Sequence, residues 1–375
     1  MKRTGTKSSL PTGAELARLE ALISAGAGRR DAHPTFPEEA FRELAAANVL
    51  AMPTPDPVAG AVRRASFSDE WRVLRAVARA DGSVGRILDG HLNGVERLSV
   101  LAPEPLRSQE LEAIVAGDLL LGVWGADPVP GEGEPACLVH SGADGAVIEG
   151  VKTFCSGSTG LDRALVLVRG PEPGPPLLAY VDLSSGVEVD RSWFRGAGMR
   201  ASESHRIVFH ETPVLAVLGE PGELLREPYF GRDAVRTAVV WAGVSDRALD
   251  SALETLGAKA QATGDEPDDI VSMAAGKMMT AQATIDRWLG YAAEFADADP
   301  EASMAAFSVQ LREAVASACR EILDEAARAV GSRPFAVGDA LDRARRDLEL
   351  FLLQHRLEPA LARAGRAAIQ NRGRA

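Results

Sequence analysis

The apolar positions along the chain fall into three textures. From about Gly13 to Ile114 they recur at helical spacing: Leu16, Leu19, Leu22 and Ile23 in one stretch, Phe41, Leu44, Ala45 and Val49 in a second. Trp71, Leu74 and Val77 mark a third helix over about 68–81, and the small residues of Gly82-Ser83-Val84-Gly85 open a fourth that can pack closely on a neighbour. From about Gly117 to Val217 the apolar runs shorten, at 119–121, 146–148, 165–168, 177–181 and 207–209, with Pro and Gly dense between them. Short strands at this spacing predict a small β-barrel or sandwich, with Gly142-Ala143-Asp144-Gly145 as a turn between two of them. From about Glu223 helices return; Leu311, Val315, Ala318, Ile322, Ala326 and Ala329 form one stripe, and 264–269, with Pro267, is a solvated connection. The expected organisation is α+β and multidomain: a disordered N-terminus (1–12), an N-terminal helical domain (13–117), a middle β-barrel domain (118–217) and a C-terminal four-helix bundle (218–375).

Composition narrows the class. At 375 residues the chain exceeds one simple core, and 46% hydrophobic with 25% charged residues is ordinary for a globular protein. A formal charge of −12 argues against non-specific nucleic-acid binding, which needs a basic face, but leaves acidic small ligands open. Cys137, Cys155 and Cys319 are scattered and form no CxxC pair, so neither a disulfide framework nor a zinc site is expected. No apolar run approaches the roughly 18 residues of a membrane span, and residues 1–11 lack an apolar signal core, so a cytoplasmic location is expected.

The chemistry concentrates in two segments. The first is Gly150-Val151-Lys152-Thr153-Phe154-Cys155-Ser156-Gly157-Ser158-Thr159-Gly160; the second is Trp193-Phe194-Arg195-Gly196-Ala197-Gly198-Met199-Arg200-Ala201-Ser202-Glu203-Ser204. Glycines let the backbone approach a ligand, and the hydroxyls can hydrogen-bond a planar heterocycle or a phosphate. The pair, in this order and separation, resembles the flavin-cradling middle domain of the acyl-CoA dehydrogenase superfamily. The three textures resemble that superfamily's architecture over about 13–367. The resemblance implies an FAD cofactor bordered by Trp124 and Ala126 of the 124–134 loop, by Phe154, Cys155 and Ser156, and by Trp193. Ser156 is the hydrogen-bonding side chain expected there, and Cys155 reads as a small buried hydrophobe. The family's R-x-x-F-G pyrophosphate clamp is not found; the corresponding stretch is 275–282, and Arg333 is the candidate substitute.

The resemblance also asks for a base. The familiar dehydrogenases place a glutamate about eight residues after the Asp of an Arg-Asp pair. Arg346-Asp347 supplies the pair, but eight residues on stands His355, with no Glu-Gly-Thr following. Histidine at this place is similar to the superfamily's flavin monooxygenase branch, and its ordinary pKa of about 6.5 suits proton transfer near neutrality. Asp233, on the first C-terminal helix, and Glu358 are the other candidate bases, and His91 is a candidate substrate-pocket residue. The leading expectation is an FAD-dependent dehydrogenase acting on an acyl-CoA or acyl-carrier-protein thioester, with the electron acceptor open. Two alternatives stand beside it: a two-component flavin monooxygenase acting on an aromatic or heterocyclic substrate, and a non-catalytic flavin-fold binding protein. The resemblance further implies a homodimer or homotetramer.

Overall fold

The structure, a computed structural model, describes residues 10–55, 64–140, 145–354 and 356–372. Most of the N-terminus expected to be disordered, most of the turn expected at 142–145, and His355 lie outside the described residues.

Among the described residues five helices come first: α1 (Gly13–Ala32), α2 (Glu38–Ala46), α3 (Phe67–Ala80), α4 (Gly82–Leu101) and α5 (Leu106–Ala116). One residue separates α3 from α4. Asp81 caps α4 by accepting from Ser83 N at 2.9 Å, while Arg30 of α1 holds the same carboxylate at 2.8 Å. The small residues at the start of α4 allow the close approach expected of them: a Cβ on Gly85 would stand 2.7 Å from that of Ala78. Helix α4 is buried along nearly its whole length, so it is a central rod rather than a surface helix.

Among the described residues seven strands follow: β1 (Leu121–Trp124), β2 (Cys137–His140), β3 (Ala146–Cys155), β4 (Arg163–Val168), β5 (Leu177–Asp182), β6 (Val187–Asp190) and β7 (His205–Val217). Their order is β1-β4-β5-β7-β3-β2, with β6 also on β7; β1 and β4 are parallel and the other pairs antiparallel. Among the described residues the path has two ends, so the expected barrel does not close. An isolated bridge from Cys137 to Arg169 draws β2 towards the end of β4 without a continuous ladder.

The remaining helices are α6 (Tyr229–Thr263), α7 (Asp269–Ala298), α8 (Ser308–Val330), α9 (Arg333–Val337), α10 (Ala340–Phe351) and α11 (Glu358–Arg372). Gly264, left-handed at φ 70°, ends α6, and Asp268 caps α7, which accounts for the connection read at 264–269. Helix α8 packs on α6 and α7, and α3 packs on α6, where Arg75–Asp246 (2.7 Å) and Arg79–Asp250 (2.6 Å) tie the two together. One apolar core runs from Leu16 of α1 through Phe209 of β7 to Leu352, so the architecture mixes helices and a sheet around a shared interior.

Candidate active site

The first motif is mostly strand. β3 continues through Gly150 to Cys155, and its pairing with β7 shifts between Lys152 and Cys155. Within that irregularity Phe154 takes a left-handed φ of 52°, which turns its ring outward to 54% exposure while Cys155 stays buried. Trp124 of β1 donates its indole N–H to the Ser156 carbonyl at 3.0 Å and so fixes the chain where the motif leaves the sheet. The second motif then docks on the first. Gly157 N donates to Ser202 O at 2.7 Å, and Ser156, Ser204 and Ser202 form a hydroxyl chain with Oγ–Oγ distances of 2.8 and 2.7 Å. Phe154 meets Trp193 edge to face at 4.8 Å, and Trp193 is held in turn by Glu132 at 2.9 Å.

The Arg-Asp pair of α10 stitches the second motif to the helices. Met199 sits at φ 53° and donates its backbone N–H to Asp347 Oδ1 at 2.5 Å; Arg346 donates to Ala197 O at 2.5 Å and pairs with Asp31 and Asp342. Gly198 lies so close that a Cβ there would stand 2.0 Å from the Arg346 carbonyl oxygen. Burial pushes the Asp347 carboxyl up to about 7, opposed by the Met199 hydrogen bond and reinforced by Asp81 and Asp31.

Between the two systems lies a cavity of about 580 Å³. Its strand side is formed by Gly125, Ala126, Phe154, Ser156, Ser202 and Ser204, with Phe194 and Met199 beside them. Its helical side is formed by Arg86, Asp89 and Asn93 of α4, Asp233 and Thr237 of α6, Arg312 of α8, and the end of α10 with Leu353 and Gln354. Asp233 is gripped by Arg97 at 2.5 Å and approached by Arg236 at 3.5 Å; burial nevertheless pushes its carboxyl up to about 6. Asp89 accepts from Arg86 at 3.0 Å and Asn93 at 3.2 Å, and burial raises it as well.

The structure thus brings Ala126, Phe154, Ser156 and Asp233 to one cavity, with Trp124 and Trp193 bracing its wall from behind. Cys155 does not line the cavity, and burial raises its thiol well above its ordinary value. His91 does not line it either. It is fully buried in α4, with Nε2 on Leu50 O at 3.0 Å and Nδ1 accepting from Leu121 N at 3.1 Å, and burial lowers it to about 4. Both ring nitrogens serve the backbone, so His91 joins α4 to β1 rather than facing a ligand. Arg333 and Glu358 are exposed at the first residues of α9 and α11, away from the cavity wall. Arg86, Asp89, Asn93, Thr237 and Arg312 were not singled out by sequence. The available signal was register: 86, 89 and 93 share a face of α4, and Arg312 shares the buried face of α8 with Ala316, Cys319 and Leu323.

No family model matches the chain. The dibenzothiophene monooxygenase of Rhodococcus erythropolis is 27% identical over 203 residues, which is 50% of this chain and 44% of that protein, so the match spans less than half of the relative's length. Among solved structures, FMN-bound TdsC from Paenibacillus sp. A11-2, itself a dibenzothiophene monooxygenase and also solved with indole, superimposes with a TM-score of 0.81. It is 19% identical and covers 95% of this chain and 96% of its own. KijD3, in complex with FMN and a dTDP-linked amino sugar, gives a TM-score of 0.80 at 24% identity, covering 91% of this chain and 88% of its own. These likenesses overturn the leading expectation of acyl-thioester dehydrogenation: the relatives are named for oxygenation or bind FMN and non-thioester ligands. The chain shares its fold with FMN-bound TdsC and KijD3, which agrees with the resemblance read from the two motifs and matches its flavin monooxygenase side.

Proposed function

We propose that the chain is a two-component, flavin-dependent monooxygenase that takes reduced flavin from a separate reductase and oxygenates an aromatic or heterocyclic substrate. The observation that carries this reading is the meeting of both flavin-cradle segments at one cavity, in a fold shared with FMN-binding TdsC and KijD3. The residues suit a flavin ring: Gly125 and Ala126 offer close main chain, Ser156 with Ser204 and Ser202 offers linked hydroxyls, and Phe154 offers an exposed aromatic face. Flavin supplies the oxygen activation when bound. FMN is favoured over FAD, because the neighbours TdsC and KijD3 carry FMN.

The chain's own work is to bind, orient and move protons. Phe154 and the serine chain hold the ring side, and the helical wall holds the substrate side. His355 is the proposed acid/base, from its spacing after Asp347; its chain neighbour Gln354 lines the cavity. Asp233 is the second titratable group of the wall, raised into a range useful near neutral pH and immobilised by Arg97. A homo-oligomer formed through the C-terminal helices completes the proposal. The test is spectroscopic and cheap. The purified protein should be colourless or weakly yellow, bind reduced FMN at micromolar concentration, and consume oxygen only when reduced flavin is supplied. Failure to bind reduced flavin at that concentration sinks the reading.

A further inference from the structure

Five buried arginines stand out in the helical regions: Arg30, Arg97, Arg232, Arg236 and Arg312. Four are paired: Arg30 with Asp81 (2.8 Å), Arg97 with Asp233 (2.5 Å), Arg232 with Glu96 (3.2 Å) and Arg236 with Glu70 (2.6 Å). Arg312 alone of these has no ion pair or hydrogen bond among the described residues, and its Nε and Nη2 are buried without a partner. It is 8% exposed and contributes to the cavity wall. The nearby carboxylates are committed elsewhere, Asp89 to Arg86 and Asn93 and Asp233 to Arg97. Asp89 acts on Arg312 only through space. Burial lowers the guanidinium to about 10, which leaves it charged at neutral pH. Its plane is steadied against the Trp241 ring, 5.4 Å from the centroid.

An unpaired buried charge is among the costlier features a fold can carry, and removing the partner of a buried pair is strongly destabilising. A guanidinium that contributes to a cavity wall and has no anionic partner of its own is complementary to an oxyanion in that cavity. We propose that Arg312 recognises a carboxylate on the substrate, and that this site therefore takes carboxylate-bearing aromatic or heterocyclic molecules in preference to neutral ones. The assignment of that ligand as substrate rests on the monooxygenase reading; the carboxylate preference itself does not.

Benzoate and its uncharged isostere benzamide are suitable probes, titrated calorimetrically into the full chain with and without FMN. Wild type should bind benzoate about tenfold or more tightly than benzamide, the worth of one charge-assisted contact. Arg312→Gln should bring the two within about twofold, and Arg312→Lys should keep an intermediate preference. Thermal unfolding checks that each variant folds. Equal binding of the two probes by wild type, no binding of benzoate at millimolar concentration, or a preference that survives in folded Arg312→Gln overturns the proposal. The wild-type comparison decides even if the Gln variant fails to fold. Loss of FMN binding with the preference intact sinks only the monooxygenase reading; FMN binding without the preference sinks only this one.

Discussion

The strand-side wall of the cavity comes from short continuous segments, 125–126, 154–156 and 194–204, whereas the helical wall takes single residues from α4, α6, α8 and α10. The first is made of main chain, hydroxyls and an aromatic face, braced by its own neighbours in sequence and by Trp124 and Trp193. The second is made largely of charged and polar groups: Arg86 and Asn93 hold Asp89 within α4, Arg97 of α4 holds Asp233 of α6, and Arg312 is the exception described above. One wall offers main chain, hydroxyls and an aromatic face, and the other offers charged and titratable groups. A wall whose parts are adjacent in sequence can be recognised as a motif. A wall assembled by tertiary packing cannot.

The largest effect that would sharpen this contrast lies in proton transfer. His355→Gln should keep flavin binding and lower turnover by about 10²–10⁴-fold. If Asp233→Asn produces that loss while His355→Gln leaves turnover intact, the proton is handled on α6 and the two walls divide the chemistry differently. Next comes the join between the walls. Gly198→Ala places a methyl against the Arg346 carbonyl and should destabilise the fold by about 3 kcal/mol, read from denaturant unfolding, and reduce flavin occupancy as well. An unchanged midpoint would mean that the loop relaxes freely and the walls are not rigidly joined.

The same join carries a pH signature. Asp347 is raised to about 7 in the folded chain, against about 3.9 for an unfolded aspartate, so the folded state holds this proton more tightly. Its contribution to stability is complete below about pH 4 and is lost as the pH rises through about 7. Asp347→Asn keeps an oxygen acceptor for Met199 N and should flatten the melting-temperature curve over that window relative to wild type. Parallel curves for the two proteins would dismiss the assignment. The smallest effect belongs to the cradle: Ser156→Ala removes one link of the hydroxyl chain and should weaken flavin binding by about 1 kcal/mol, with the fold unaffected. A full loss of flavin would show that this wall depends on one side chain rather than on its main chain.

The strand-side wall was legible in the sequence because glycines and hydroxyls cluster where the backbone turns closely, as at 156–160 and 196–204. The helices were legible from their period, and 264–269 from its Gly and Pro. Closure of the sheet was not, because apolar runs locate strands but do not say which edges meet. His91 is expected at the pocket because the N-terminal helices face it, whereas the register of α4 turns the ring into the interior, between Leu50 O and Leu121 N. Arg86, Asp89 and Arg312 each resemble a solvated helix position when taken alone, and only packing brings them to one cavity. The Arg346-Asp347 pair was noticed as a landmark for counting towards a base; its work in the fold is to hold the 197–199 loop.

That hold has a consequence for how the gene can vary. Helix α10 starts from a fixed point, the Asp339 cap bonded to Leu341 N at 2.8 Å, and reaches Asp347 after roughly two turns. Each inserted or deleted residue between the two would swing Asp347 by about 100° around the axis and carry it off Met199. Connections generally tolerate changes of length, but 339–347 acts as a ruler, and descendants of this gene that keep the cavity should keep its count.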